Sequence, residues 1–148
     1  MNITRKSIIS AACGFALTMG LVVILVIMTV PYVSYFSLSV QKGAPIFIFI
    51  FSILGVSPVI SRRLNRLPDI KKILGWTFIG TGAEFLVFPV SLLFVIKTAS
   101  SPGGVLVITT LFVSSLIIGL LAGFISIAIG VLLIKSDNII RSRYRENT

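Results

Sequence analysis

Four long apolar stretches, separated by short connections, limit this chain more than any other feature. They cover residues of about 7–30, 45–61, 74–96 and 104–134. A bilayer's hydrocarbon core is about 30 Å thick and is crossed by roughly 20 helical residues. The first and third stretches match that length. The second is short for a span, and the fourth must tilt or project beyond the lipid. A β-barrel would need many alternating strands to close. The run from Ile46 to Phe51 alternates Ile and Phe, but both residue types are apolar, so it lacks the polar face of a barrel wall. The expected fold is an all-α integral membrane protein, a single domain built as a four-transmembrane-helix bundle, with residues 135–148 as a basic tail.

Charge placement supports this fold and orients it. The chain is 56% hydrophobic and 11% charged, with a formal net charge of +9. Soluble domains carry about 25% charged residues. The excess of positive charge does not form a nucleic-acid-binding face, because it gathers at the ends of apolar stretches. Arg5 and Lys6 precede the first; Arg62, Arg63, Arg66, Lys71 and Lys72 separate the second from the third; Lys135, Arg141, Arg143 and Arg145 follow the fourth. Only Lys42 and Lys97 fall on the other side. The positive-inside rule therefore places both termini in the cytoplasm of a cell-membrane protein. So uneven a bias also argues against a dual-topology dimer.

The N-terminal stretch imitates a signal peptide, yet its apolar run exceeds an ordinary h-region of about 7–15 residues. Ser10-Ala11-Ala12-Cys13 loosely imitates a lipoprotein cleavage site, but the most apolar segment follows it rather than precedes it. The first stretch is therefore expected to be an uncleaved span. Residues 31–44 are expected to form the outer connection, with Tyr32, Tyr35 and Phe36 at headgroup level. The inner connection, 62–72, carries Leu64, Leu67 and Ile70 three apart, broken by Pro68, with Asp69 placed to cap the third helix. The Ser-Pro-Gly-Gly turn at 101–104 makes the third and fourth spans antiparallel neighbours.

Within the apolar stretches one side chain is ionisable: Glu84, near the middle of the third. A carboxylate at the bilayer centre costs about 2.5–3.5 kcal/mol on insertion scales, which calls for a partner or a purpose. Helical spacing sets Thr77, Gly80, Thr81, Glu84, Phe88 and Ser91 on one stripe. Pro89 frees the carbonyl of Phe85 from its helical bond, and Pro58 does the same for Leu54; both prolines are expected kinks. In the fourth span Ser115, Gly119, Ala122, Gly123, Ser126 and Gly130 recur at three- and four-residue spacing, a pattern that lets membrane helices approach closely. Counting from the connecting turn puts Ser115 almost level with Glu84, and the midpoints of the first two spans fall near Thr18 and Ser52.

Two roles follow for the group of Glu84, Thr81 and Ser115. One is structural: a protonated carboxyl bonded to Ser115, Thr81 or a freed carbonyl, holding helices together. The other is a protonatable site in a small transporter or channel. The basic loop residues Arg62, Arg63, Arg66, Lys71 and Lys72 set topology and are also candidates to contact anionic lipid.

Catalytic chemistry finds little support. The chain has no histidine and one cysteine, so a tetrahedral zinc site of the usual ligands is not available from one copy. Three of the four acids lie in terminal or loop segments, and Glu84 lies about 15 Å deep. Paired carboxylates, a triad and a phosphate-binding loop are all missing from the sequence. The expected role is a noncatalytic structural or accessory subunit without cofactor or metal. Its partners would be the lipid bilayer and a membrane protein or further copies of itself, joined through the small-residue face of the fourth span. A proton-linked transporter or channel is the alternative. A membrane-permeabilising role has only chain size and the basic tail in its favour.

Overall fold

The helices begin and end where backbone hydrogen bonds can be closed, which is not always where apolar runs stop. The structure, a computed structural model, describes residues 3–96 and 102–146, with side chains described for 5–93, 95–96 and 103–136. α1 spans Ile3–Val33, α2 Leu38–Phe51, α3 Ser57–Asn65, α4 Ile70–Ile96 and α5 Pro102–Glu146, with a π-helical turn at Ser52–Val56 joining α2 to α3. No strand occurs among the described residues. Four helical segments are long and apolar enough to cross a membrane: Arg5–Val33, Leu38–Asn65, Ile70–Leu93 and Gly103–Ser136.

The second span is much longer than its unbroken apolar run. The chain stays helical through Pro31 to Val33 and is helical again from Leu38, so the expected connection of 31–44 shrinks to 34–37. Gln41 explains the early restart. Its side-chain amide donates to the carbonyls of Ser34 (3.2 Å) and Phe36 (3.0 Å), while its backbone N–H bonds Ser37 (3.1 Å). Gln41 thus satisfies carbonyls of the connection itself, while the last carbonyls of α1 accept from Ser34 (N–H to Val30, hydroxyl to Pro31) and from the Phe36 N–H (to Val33). Polar Gln41 and Lys42 then sit in the first turns of a helix, where long side chains can reach outward from lipid. The Ile46–Phe51 run is helical, and Phe47 stacks on Phe51 one turn later, ring centroids 6.2 Å apart.

Pro58 does not break the span. It cannot donate the N–H that a continuing α-helix requires, and the backbone widens just before it: the Ser57 N–H reaches back five residues to the carbonyl of Ser52. A π-turn of this kind absorbs a lost rung without ending the helix. α3 then runs through Arg62 and Arg63 to Asn65 and α4 begins at Ile70, so the expected inner loop of 62–72 shrinks to 66–69. The remaining turn is closed by the Arg66 N–H to Arg63 (3.2 Å) and the Leu67 N–H to Leu64 (3.1 Å). Asp69 stands just before α4, its carbonyl accepting the Ile73 N–H (3.1 Å).

The spans form an open row. α5 lies along α4, α4 along α1, and α1 along α3, with lighter contact to α2 and the π-turn; α5 touches α4 alone among the described elements. The apolar core sits at the end carrying the basic loop, where Cys13 and Leu17 of α1, Leu64 of α3 and Ile73 of α4 pack with Ile9, Ile60 and Leu67. Gly14 lets α3 come close: a Cβ there would lie 2.9 Å from the Ser61 nitrogen. α2, at the far end, buries none of its residues.

Beside this apolar core, several small polar groups lie inside and many large apolar ones outside. Ser10, Thr18, Ser52, Ser57, Ser91 and Ser126 are buried, while Phe47, Leu54, Leu106, Leu121, Phe124 and Leu132 are among many exposed apolar side chains. Thr18 donates to the carbonyl of Gly14 (2.7 Å), an in-helix bond that hides its hydroxyl. This distribution suits a chain surrounded by hydrocarbon. α5, with 45 residues, measures about 68 Å at 1.5 Å per residue and so exceeds any bilayer core. The 97–101 connection, including Lys97, lies outside the described residues, as do the side chains of Asp137, Arg141, Arg143, Arg145 and Glu146.

Candidate functional site: the Glu84 cleft

α4 is used on two sides, and its glycines decide which side Glu84 occupies. Gly75, Gly82 and Pro89, spaced seven apart, are all buried against α5. There they meet Gly119, Gly123, Ser126 and Gly130. A Cβ on Gly82 would lie 2.7 Å from the Gly123 carbonyl oxygen, and one on Gly130 would lie 2.5 Å from that of Gly75. The two backbones are in van der Waals contact, so any side chain there would force them apart. Ser126 adds a side-chain hydrogen bond across this seam, donating to the Phe78 carbonyl at 2.8 Å.

Glu84 is two residues beyond Gly82, about 200° round the helix at 3.6 residues per turn. It therefore faces α1, where its carboxyl packs on Gly20, as Gly80 packs on Leu17. Glu84, Thr81, Phe85 and Phe88 of α4 and Ala16, Gly20, Val23 and Ile24 of α1 line a cleft of about 320 Å³. Its mouth opens on the outer surface: Val23 is 46% exposed and Phe85 42%. Neither the Glu84 carboxyl nor the Thr81 hydroxyl has a hydrogen-bond or ion-pair partner among the described residues. The other two polar groups of the stripe are satisfied within the helix, Thr77 to Ile73 (2.8 Å) and Ser91 to Phe88 (2.6 Å).

The pairing of Glu84 with Ser115 is not realised. Ser115 is on α5, across the opposite side of α4, and its hydroxyl donates to Phe112 of its own helix at 2.9 Å. Matching the two residues by depth left out the angle around α4, which the glycine seam sets. The Phe85 carbonyl released by Pro89 also turns away from the acid. It faces Gly119, where a Cβ would lie 2.6 Å from it. The polar niche expected from proline and carboxyl together is thus split between two faces.

Gly119, Gly123, Ser126 and Gly130 pack on α4 within the chain, so this stripe is not left open for an outside partner. Pro58 adjoins the π-turn, whereas α4 continues helical through Pro89. Arg63 and Arg66 line a shallow depression of about 600 Å³ with Leu17, Leu64, Leu67 and Trp76. Arg62, Arg63 and Arg66 line a neighbouring one of about 220 Å³ with Val59. Lys71 is exposed and Lys72 half-buried at the start of α4, and neither lines these depressions. No group of three or more His, Cys, Asp or Glu residues suited to a metal occurs among the described residues.

The α1 half of the cleft escaped sequence reasoning. Its signal was available as Ala16-xxx-Gly20, a small-residue pair one turn apart in the first span. The seven-residue repeat of Gly75 and Gly82 would likewise have marked the α5-facing side of α4. Compared with known proteins, the chain matches no protein family, no curated protein and no solved structure.

Proposed function

We propose that this chain is a multi-pass membrane protein, with both termini in the cytoplasm, that serves as a noncatalytic accessory subunit packed laterally in a larger membrane assembly. The supporting observation is the open row of spans. Among the described residues α5 touches α4 alone and α2 has no buried residue, so long helical faces are offered to the surroundings. The small-residue face of α5 is consumed by α4, so the partner surface moves to α2 and the outer side of α5. The partner is another membrane protein or a second copy. Arg63 and Arg66, which share a depression with Trp76, and Arg62 in the neighbouring one are placed for anionic headgroups, with Lys71 and Lys72 adding to the same field.

Extraction of the native protein in mild detergent, followed by cross-linking, tests this reading. A stable higher-mass complex is expected, weakened when Phe47 and Phe51 on the exposed α2 are changed to Ala. A well-behaved monomer that cross-links to nothing would overturn it.

A second reading has an observation of its own: the unpartnered Glu84 carboxyl in a cleft. As a proton-linked transporter or channel, the chain would use Glu84 as the group that gains and loses a proton. Glutamine preserves the shape and hydrogen bonding of the protonated acid but cannot titrate. Proton flux into liposomes should therefore collapse in Glu84→Gln, and equal flux in both proteins would remove this reading.

A further inference from the structure

We propose that the cleft between α1 and α4 binds a membrane-soluble organic cation, a hydrophobic amine or quaternary onium, with its charge against Glu84 and its apolar body on Val23, Ile24, Phe85 and Phe88. Small-molecule sites run from about 300 to 1,000 Å³, mostly apolar with a few placed polar groups. At about 320 Å³, with Glu84 and Thr81 the only polar side chains in its lining, the cleft fits the lower end of that range.

No described side chain supplies the complementary charge: Arg63 and Arg66 line the depression that takes in Leu17, three residues from Gly20, yet neither pairs with Glu84. Lys72 lies twelve residues before Glu84 on the same helix, about 18 Å along the axis at 1.5 Å per residue. Arg5 and Lys6, on α1, are farther still from Gly20 along their own helix. No side chain spans such distances. An ionised carboxylate left alone in hydrocarbon is costly, and a cation delivered from outside removes that cost. A metal ion is a poor fit, because it needs several oxygen or nitrogen ligands and the cleft offers one carboxyl and one hydroxyl. An organic cation needs one counter-charge and apolar walls, and two phenyl rings add attraction for its positive end.

The mouth is flanked by exposed Val23 and Phe85, on the surface that a surrounding bilayer would cover, so the ligand enters from lipid. Gly20 matters on the inner side: with no Cβ there, the Glu84 carboxyl lies directly on the α1 backbone. The inference rests on this geometry and not on transport or on assembly. Equilibrium binding reads it whether or not ions or protons move, and failure of the accessory-subunit reading leaves it untouched.

Equilibrium dialysis of the purified full chain in mild detergent against tetraphenylphosphonium, with the equally bulky anion tetraphenylborate as control, provides the test. Saturable binding of one cation per chain, without saturable binding of the anion, is expected. Glu84→Gln should weaken cation binding at least tenfold, and so should Ala16→Phe, which fills the cleft while leaving the carboxyl in place. Both variants are compared at matched helicity and monodisperse elution, and a third, Glu84→Asp, should retain part of the affinity. Absence of saturable cation binding to the wild type, equal binding of the anion, or unchanged affinity in a folded Glu84→Gln protein would each overturn the proposal.

Discussion

The two faces of α4 bring backbones close in opposite ways. Toward α5 the contact is sealed: glycine meets carbonyl oxygen at Gly82 and Gly123 and again at Gly75 and Gly130, and Ser126 ties the seam with a hydrogen bond. Toward α1 the contact is made over Gly20 and Gly80, each against a side chain, and what fills the space beside Gly20 is a carboxyl that no described group satisfies. In lipid, where apolar side chains gain nothing by leaving the solvent, close backbone packing supplies the attraction between helices. The α5 face is built for that attraction. The α1 face forgoes part of it and keeps a cleft. A packing seam and a candidate site thus occupy the same helix two residues apart.

This contrast can be broken most forcefully at the seam. Gly123→Leu or Gly82→Leu puts a branched side chain against backbone that cannot yield, and overpacking of this kind costs about 1–3 kcal/mol or more. Thermal unfolding in detergent should show a large loss of stability, with α5 detaching from α4 as read by a distance label on each helix. Unchanged stability would mean that the seam is not the fastening it resembles.

The α1 face should respond less. In Gly20→Ala the new methyl meets the end of a flexible glutamate side chain instead of a backbone, so the carboxyl swings aside for about 1 kcal/mol or less. The effect to expect is a moved carboxyl, measured as a changed rate of modification by a hydrophobic carbodiimide, with folding nearly intact. A penalty as large as that of Gly123→Leu would erase the distinction between the faces.

The smallest effect belongs to Ser126→Ala. Loss of its bond to Phe78 removes about 0.6 kcal/mol by the average for interhelical hydrogen bonds in membranes. A shift well beyond that value in unfolding experiments would mean that the hydroxyl, and not the glycine contact, holds α4 to α5.

Much of this architecture was legible in the chain, and the gaps have physical causes. The four apolar stretches corresponded to four apolar helices because hydropathy and length act locally. The second helix was underestimated because its ends depend on Gln41 closing a turn and on a π-turn absorbing Pro58, neither of which appears in an apolar count. The stripe Gly119, Gly123, Ser126 and Gly130 was legible as a packing face, but its occupant was not. The Glu84–Ser115 pairing failed for a related reason. Counting residues from a turn measures position along a helix and says nothing of rotation about it.

The sequence by itself determined how many helices could span a bilayer, that their exterior would be apolar, and that one carboxyl would lie among them. These are properties of composition along a line, and the high energetic cost of charge and open backbone in hydrocarbon leaves few alternatives. Only the tertiary structure decided which neighbour Glu84 faces. That depended on the backbone contact at Gly82 and Gly123, which rotates α4 so that the acid looks toward Gly20 and the open cleft, away from the serine and glycine side of α5.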